Sequence, residues 1–415
     1  FTRRSHISGV RITLCISRLK TGSKISTSIQ KTHSTKSRPK AGTPATSSGT
    51  RNTSGTGRSG SKTSGRRHFH QTTADVWRPR VRCDLRPDDL AVQVIRKLLA
   101  DTPQLDPARV DDLIVGNAVP EAEQGLQIAR WIAIQALPVS VPAVTINRYC
   151  ASGLEAIAMA TAKIRSGMAE CIIAGGAESM SLVPTMGWKT VPNYNVARDH
   201  AEYFLGMGLT AEEVARDYNI TREDADLFSY QSHQKAIAAI TSGKFKNEIV
   251  PVNVEEVTVE NGKRKTRSWV VDTDEGPRAD TTLEALAKLK PAFKLGGQVT
   301  AGNSSQTSDG ASFVIVMSER MVNELGLKPI ARLVSCASAG VNPRIMGIGP
   351  VEAIPKALKQ VNMKLNDIDI IELNEAFATQ SLAVMRTLEM DPMRVNVNGG
   401  AIALGHPLGC SGTKL

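Results

Sequence analysis

The first 73 residues contain no aspartate or glutamate. They hold fifteen of the 51 lysines and arginines, leaving 36 basic against 40 acidic residues in the rest. The formal charge of +11 is therefore a property of one end, and the body is slightly acidic. Aromatics are scarce too, 4% of 415 residues. A body with neither a basic stripe nor interleaved aromatics is not built to bind nucleic acid. No run approaches the roughly 20 apolar residues of a spanning helix. The six cysteines (15, 83, 150, 171, 336 and 410) form no C-x-x-C pair and no cluster with histidine. That excludes a disulfide framework and a zinc site, and it fits a reducing compartment. Neither a Walker motif nor a G-x-G-x-x-G fingerprint is present, which argues against NTPase, kinase and Rossmann dehydrogenase chemistry.

The chain begins with Phe1, and residues 1–73 are rich in Ser, Thr, Gly, Lys and Arg. Beyond about its first twenty positions this segment has too few large apolar residues to offset ordering entropy, so disorder is expected. Its start, Arg3-Arg4 through Lys20, is basic, acid-free and only briefly apolar. It resembles an organelle transit peptide more than a secretory signal. The mitochondrial matrix is the expected location. The peroxisome is the alternative, because Arg11-Ile12 and Arg18-Leu19 partly match an N-terminal peroxisomal signal.

The folded pattern starts near Arg86, where Leu90, Val94, Ile95, Leu98 and Leu99 line one face of a helix. Strands are expected at Asp112–Gly116, Ala143–Asn147 and Glu170–Gly176, and helices at Gln124–Leu137 and Ser152–Ser166. Residues 184–298 read as an inserted loop domain, with helices at Thr210–Tyr218 and Arg222–Thr241. Thr210-Ala-Glu-Glu213 and Thr221-Arg-Glu-Asp224 look like capping boxes. The basic run Lys263–Arg267 belongs to a hairpin. Asp309–Met317 is a helix or a buried strand, Ala331–Ala337 a strand and Val351–Val361 a helix. The order acidic turn, β run, Asn, helix, β run, loop occurs twice, around Asn117 and around Asn374, which points to duplicated halves. The segments are 1–73 (leader), 74–183 (N-terminal half), 184–298 (insertion) and 299–415 (C-terminal half).

Two loops carry the chemistry. Asn147-Arg-Tyr-Cys-Ala-Ser-Gly153 puts Cys150 at a strand-to-helix turn, where helix amides are expected to lower the thiol pKa. Asn398-Gly-Gly-Ala-Ile-Ala-Leu-Gly-His-Pro-Leu-Gly409 presents His406, a base for that thiol although 256 positions away. Asn374, at the end of a β run, offers an amide to a developing oxyanion, or else a structural cap. Its neighbour Glu375 is a cap, an orienting residue or both.

Together with Gly175–Ser181, Gly302-Asn-Ser-Ser305 and Asn374–Ala378, these loops resemble the thiolase family, in particular the degradative 3-ketoacyl-CoA thiolases, from about Arg86 to Leu415. The resemblance implies an α/β fold, a five-layer αβαβα core of two similar halves with an inserted loop domain, in a homodimer or homotetramer. It implies an acetyl-CoA C-acyltransferase that cleaves 3-ketoacyl-CoA with CoA in fatty-acid β-oxidation. Cys150 would be the nucleophile, His406 its activator, Asn374 the holder of an oxyanion water, and Ser305 a contact to the pantetheine arm. Coenzyme A would be a substrate, with no cofactor and no metal. Two features depart from the pattern. The family's second cysteine, in a Cys-x-Gly-Gly-Gly loop, does not appear before Leu415, and Cys410 is no substitute. The β run and Arg-Thr-Pro segment that precede the first helix are not recognisable around Gln71–Cys83. Terminal core elements are thus expected to be missing and the sequence to be partial, inactive as it stands. The alternatives are a short-chain acetoacetyl-CoA thiolase, or a non-catalytic acyl-CoA-binding homologue if the chain ends at 415.

Overall fold

A computed structural model of the protein describes residues 10–21 and 86–415. Two compact units are distinguished. The described part of the smaller one is the hairpin end, Val257–Lys265; everything else described belongs to the larger.

In chain order the larger unit begins with strand β1 (Val10–Thr21), helix α1 (Pro87–Ala100), β2 (Asp112–Gly116), α2 (Ile128–Ala136), β3 (Ala143–Ile146), α3 (Ser152–Arg165) and β4 (Cys171–Ser179). The insertion adds α4 (Tyr194–Asp199), α5 (Met207–Asp217), α6 (Arg222–Thr241), the paired strands β5 (Val252–Glu260) and β6 (Lys263–Val271), and α7 (Leu283–Ala287). Then follow β7 (Asp309–Ser318), α8 (Glu319–Glu324), α9 (Gly349–Gln360), α10 (Ala378–Thr387), α11 (Ala401–Leu404) and α12 (Leu408–Lys414).

Five strands form one mixed sheet in the order β1-β7-β4-β2-β3. The β2–β3 and β2–β4 pairs are parallel, whereas β7 runs antiparallel to both β4 and β1. Helices cover both faces, which is why these strands read as continuous apolar runs. Leu113, Val115, Ile173, Phe313 and Ile315 pack with α1 and α2, through Leu90, Ile95, Ile128 and Ile132. Ile114, Ile172, Val314 and Val316 pack the other way, against Ala156, Ile157, Ala160 and Ile164 of α3. Adjacent residues therefore serve opposite layers, and the ambiguity over Asp309–Met317 resolves as a strand.

Strand β1 lies within the segment expected to be disordered. It occupies the open edge of β7, pairing Val10 with Ser318 and Thr21 with Asp309, with a shift in register between Thr13 and Ser17. Its run of Val, Ile, Thr and Leu has strand propensity, and β7 offers an unfilled row of backbone groups. The rest of the expected leader, and residues 74–85 of the N-terminal half, lie outside the described residues.

The α/β class is as expected, but the second sheet is not built out. Ala331–Ala337 is not a strand, and the β run at Ile368–Leu373 is reduced to one parallel bridge, Ile371 to Val395. A strand needs a neighbour to take up its N–H and C=O groups, and among the described residues these segments lack a full one. Helix α9 buries none of its residues, and a cavity of about 440 Å³ opens beside its Ile354 and Leu358. Among the described residues no helix is long and apolar enough to cross a membrane.

Candidate active site

Cys150 sits in one turn of 3-10 helix, Tyr149–Ala151, that runs directly into α3. Local hydrogen bonds shape this turn. Asn147 Oδ1 accepts from the Tyr149 amide (2.8 Å), and its Nδ2 donates to the Ala118 carbonyl (2.9 Å). Ser152 Oγ accepts from the Arg148 amide at 2.7 Å and donates to the Tyr149 carbonyl at 2.6 Å. Tyr149 itself has φ +46°, a left-handed conformation that costs a non-glycine residue energy and occurs here next to the thiol.

The half-buried Cys150 packs beside Ala118, Val119, Val183 and Leu408. Burial pushes its thiol pKa up to about 12, and the nearby Glu178 adds to the rise, against one backbone hydrogen bond that lowers it. The expectation of a thiolate stabilised by the helix N-terminus is therefore corrected. Desolvation by apolar neighbours outweighs the helix amides. With its pKa raised in this way, Cys150 is held as a thiol near neutral pH.

His406, the residue expected to serve as base for that thiol, lies 256 positions further along the chain. Gly405 turns the backbone with φ +81°, and a Cβ there would strike Ser308 Oγ. The same Ser308 Oγ accepts the His406 amide at 3.1 Å. In the buried imidazole, Nδ1 lies 2.5 Å from Ser411 Oγ and Nε2 lies 3.2 Å from Asn374 Nδ2. Asn374 Oδ1 is buried with no hydrogen-bond partner.

The two loops meet through glycines. A Cβ on Gly153 would come 2.6 Å from the Thr413 amide nitrogen, and one on Gly176 would overlap the Gly409 carbonyl. Only bare backbone lets α12 lie this close to α3 and β4. Glu178 fastens the contact. Its Oε2 accepts from the amides of Ala118 (2.7 Å) and Gly409 (2.8 Å), and its Oε1 accepts from Gln124 Nε2 (2.8 Å). Burial raises the Glu178 pKa, while these donors act against that rise. Glu375 does the equivalent work near Asn374, accepting from Ser232 Oγ (2.7 Å), Asn396 Nδ2 (2.8 Å) and the Ile402 amide (3.2 Å).

His406 and Asn374 thus touch directly, and α12, which follows His406, packs on the Cys150 turn through Leu408. Ser305 is tied beside them by its amide, which donates to the Ala376 carbonyl at 2.9 Å. Its neighbours Ser304 and Gln306, but not Ser305, line a cavity of about 310 Å³ with His233, Arg278, Gly302 and Ile402. Sequence reasoning gave no role to Glu178 or Ser411. A lone acid in the apolar run Cys171–Ser179 was the available signal for the first.

Two thiolase family models match the chain. The thiolase N-terminal domain matches residues 78–320 and the thiolase C-terminal domain residues 327–415. A Bacillus subtilis 3-ketoacyl-CoA thiolase is 53% identical over 333 residues, covering 80% of this chain and 85% of the relative. A Pseudomonas aeruginosa acetyl-CoA acetyltransferase is 49% identical over 340 residues, covering 79% and 84%. Among solved structures, human mitochondrial 3-ketoacyl-CoA thiolase superposes with a TM-score of 0.71 at 39% identity, covering 80% of this chain and 85% of that one. The curated relatives named here are bacterial, staphylococcal proteins among them, and this overturns the expectation of a mitochondrial or peroxisomal location.

Proposed function

The chain belongs to the thiolase family of acyl-CoA acyltransferases, with coenzyme A as substrate, and on that premise we propose that it cleaves 3-ketoacyl-CoA through an acyl-Cys150 intermediate. His406 Nε2 takes the Cys150 proton, and the thiolate attacks the 3-keto carbon. The Cα–Cβ bond then breaks, leaving the acyl group on sulfur, and the acetyl-CoA enolate takes up the proton that His406 Nε2 received, which returns the imidazole to its neutral form. A CoA thiol, deprotonated in turn, collects the shortened acyl group from Cys150. A thiol kept protonated by its apolar pocket and activated on demand suits this ping-pong chemistry. Asn374 and His406 offer donors to the oxyanion, with a water held by the Asn374 amide.

The observation that carries this reading is the buried His406–Asn374 pair on a loop whose Leu408 packs against Cys150. The cavity between Ser304, Gln306 and Arg278 supports a site for the pantetheine arm, with Ser305 at its margin. The same reading includes a homodimer or homotetramer. Its support is the open edge of β3, flanked by the exposed Val139 and Tyr149, and sedimentation of the purified protein tests it.

Mass spectrometry after exposure to a 3-ketoacyl-CoA tests the nucleophile: an acyl group is expected on the peptide carrying Cys150. A folded, CoA-binding protein without that adduct would support the binding-homologue reading instead. We assign the enzyme to the degradative class of β-oxidation, because the insertion has Phe204-Leu-Gly-Met207 where a short-chain enzyme would carry a His-Met pair. The 49% identity to an acetyl-CoA acetyltransferase favours the short-chain alternative. Comparing kcat/KM for acetoacetyl-CoA with that for C8–C16 substrates decides between them, and a strict C4 preference would select the latter reading.

A further inference from the structure

Ser411 has no part in the reaction scheme above, yet it makes the shorter of the two contacts to His406, 2.5 Å from Nδ1. It lies five residues beyond the histidine, in the first turn of α12, with only 1% of its surface exposed. Its hydroxyl has a single proton, and its oxygen also lies 2.9 Å from the Pro407 carbonyl, to which it donates. With that proton directed at Pro407, Oγ meets Nδ1 only as an acceptor, so Nδ1 carries the imidazole hydrogen. The other ring nitrogen is consistent with this. Nε2 faces the Asn374 amide nitrogen, a donor, and therefore presents a lone pair. The hydrogen bonds all run one way, from Asn374 through the ring to Ser411 and on to the Pro407 carbonyl.

We propose that Ser411 is the positioning residue that holds His406 in the Nδ1–H tautomer and so keeps Nε2 unprotonated, able to accept the Cys150 proton in exchange for its hydrogen bond from the Asn374 amide. A neutral histidine in water populates both tautomers, and the one bearing hydrogen on Nε2 cannot take a proton there. The partner of the far nitrogen decides between them. When the Cys150 S–H bond breaks, its proton joins the Nε2 lone pair and the ring becomes an imidazolium. The Nδ1–H bond stays intact, and Ser411 Oγ then faces a positive ring, which strengthens that hydrogen bond. The surroundings hold the serine as firmly as the histidine. Lys414 Nζ donates to the Gly405 carbonyl at 2.6 Å, closing the loop across α12, and Ser308 fixes the His406 amide.

The inference rests on His406 being the base, and its test separates the two. Nitrogen-15 NMR of the full chain, with no acyl-CoA present, reads the tautomer directly: a pyrrole-like Nδ1 and a pyridine-like Nε2 are expected for His406. In Ser411→Ala the two forms should mix. Alkylation of Cys150 by iodoacetamide should slow by about 10-fold to 100-fold, and its acid limb should move to lower pH, because the imidazolium has lost an acceptor. Ser411→Thr, which keeps the hydroxyl, should recover most of the rate. With substrate, kcat should fall in the alanine variant while KM stays put. A wild-type His406 with its hydrogen on Nε2 overturns the proposal without recourse to any variant. So does an alanine variant with an unchanged tautomer and alkylation profile. If instead the tautomer is as described but no acyl-Cys150 forms, the functional reading fails and the role of Ser411 as a tautomer anchor stands.

Discussion

The regions around Cys150 and Asn374 carry the same order of β run, asparagine and functional loop, yet among the described residues only the first has its β run inside an extended sheet. Around Cys150, β2 is paired on both sides within five strands. Around Asn374 the corresponding run makes one bridge, Ile371 to Val395. Both sites are nevertheless tightly held. Each has a buried glutamate that gathers donors from segments far apart in sequence, Glu178 in one half and Glu375 in the other. Side-chain carboxylates can fix a loop where a β ladder does not, provided every buried oxygen finds its donors.

The largest test of whether the halves form one site takes a residue from each. Cys150→Ala and His406→Ala should each lower kcat by roughly 10⁴-fold, and the double variant should be little worse than the poorer single one. Additive losses would mean that the two loops act separately.

The carboxylates come next. Glu178→Ala leaves the amides of Ala118 and Gly409 buried and unpaired, and should cost about 2–4 kcal/mol in urea unfolding. Glu375→Ala strands the Ile402 amide and the Ser232 hydroxyl, and a similar loss is expected. If Glu375 proves much the costlier, the half without a ladder depends on its carboxylate more than the other does.

A smaller effect should follow from Gly176→Ala, because its Cβ would meet the Gly409 carbonyl. Pushing α12 away should slow acylation of Cys150 by about 10²-fold, since small displacements of a catalytic group are costly. CoA binding, measured by calorimetry, should be retained.

The smallest effect is confined to the half with the sheet. Burial holds the fully buried Cys171 near 12, above its ordinary value near 9. The folded protein therefore keeps a proton that the unfolded chain releases. The stabilisation is complete below pH 9 and declines as pH rises from there towards 12, by about 1.4 kcal/mol per pH unit. Urea titrations at several alkaline pH values should show the slope, and Cys171→Ala should reduce it to the share that Cys150, raised to a similar value, contributes.

Much of this was legible in the residues themselves. Thr221 and Asp224 cap α6 reciprocally, as their spacing implied, and α6 runs from Arg222 to Thr241. Asn261-Gly262, both with positive φ, make the turn between β5 and β6. The similar signal at Thr210 misled. Helix α5 already starts at Met207, and the Thr210 hydroxyl donates to the Met207 carbonyl from inside it. A capping box is a local pattern, and the residues before it decide whether the helix has begun. Ala331–Ala337 has strand composition, but composition does not supply a neighbour. The pKa of Cys150 was misjudged for a related reason: its helix is visible in the sequence, whereas the apolar pocket around it comes from Ala118, Val183 and Leu408, three distant segments.

One oxygen has a further consequence. Glu178 Oε2 receives an amide from Ala118, beside the Cys150 turn, and another from Gly409, just past His406. Drawing the histidine loop away would take the Gly409 amide from a buried carboxylate. On the proposed mechanism, losing that contact would part the nucleophile from its base, so reactivity at Cys150 would depend on the carboxylate that joins the two loops.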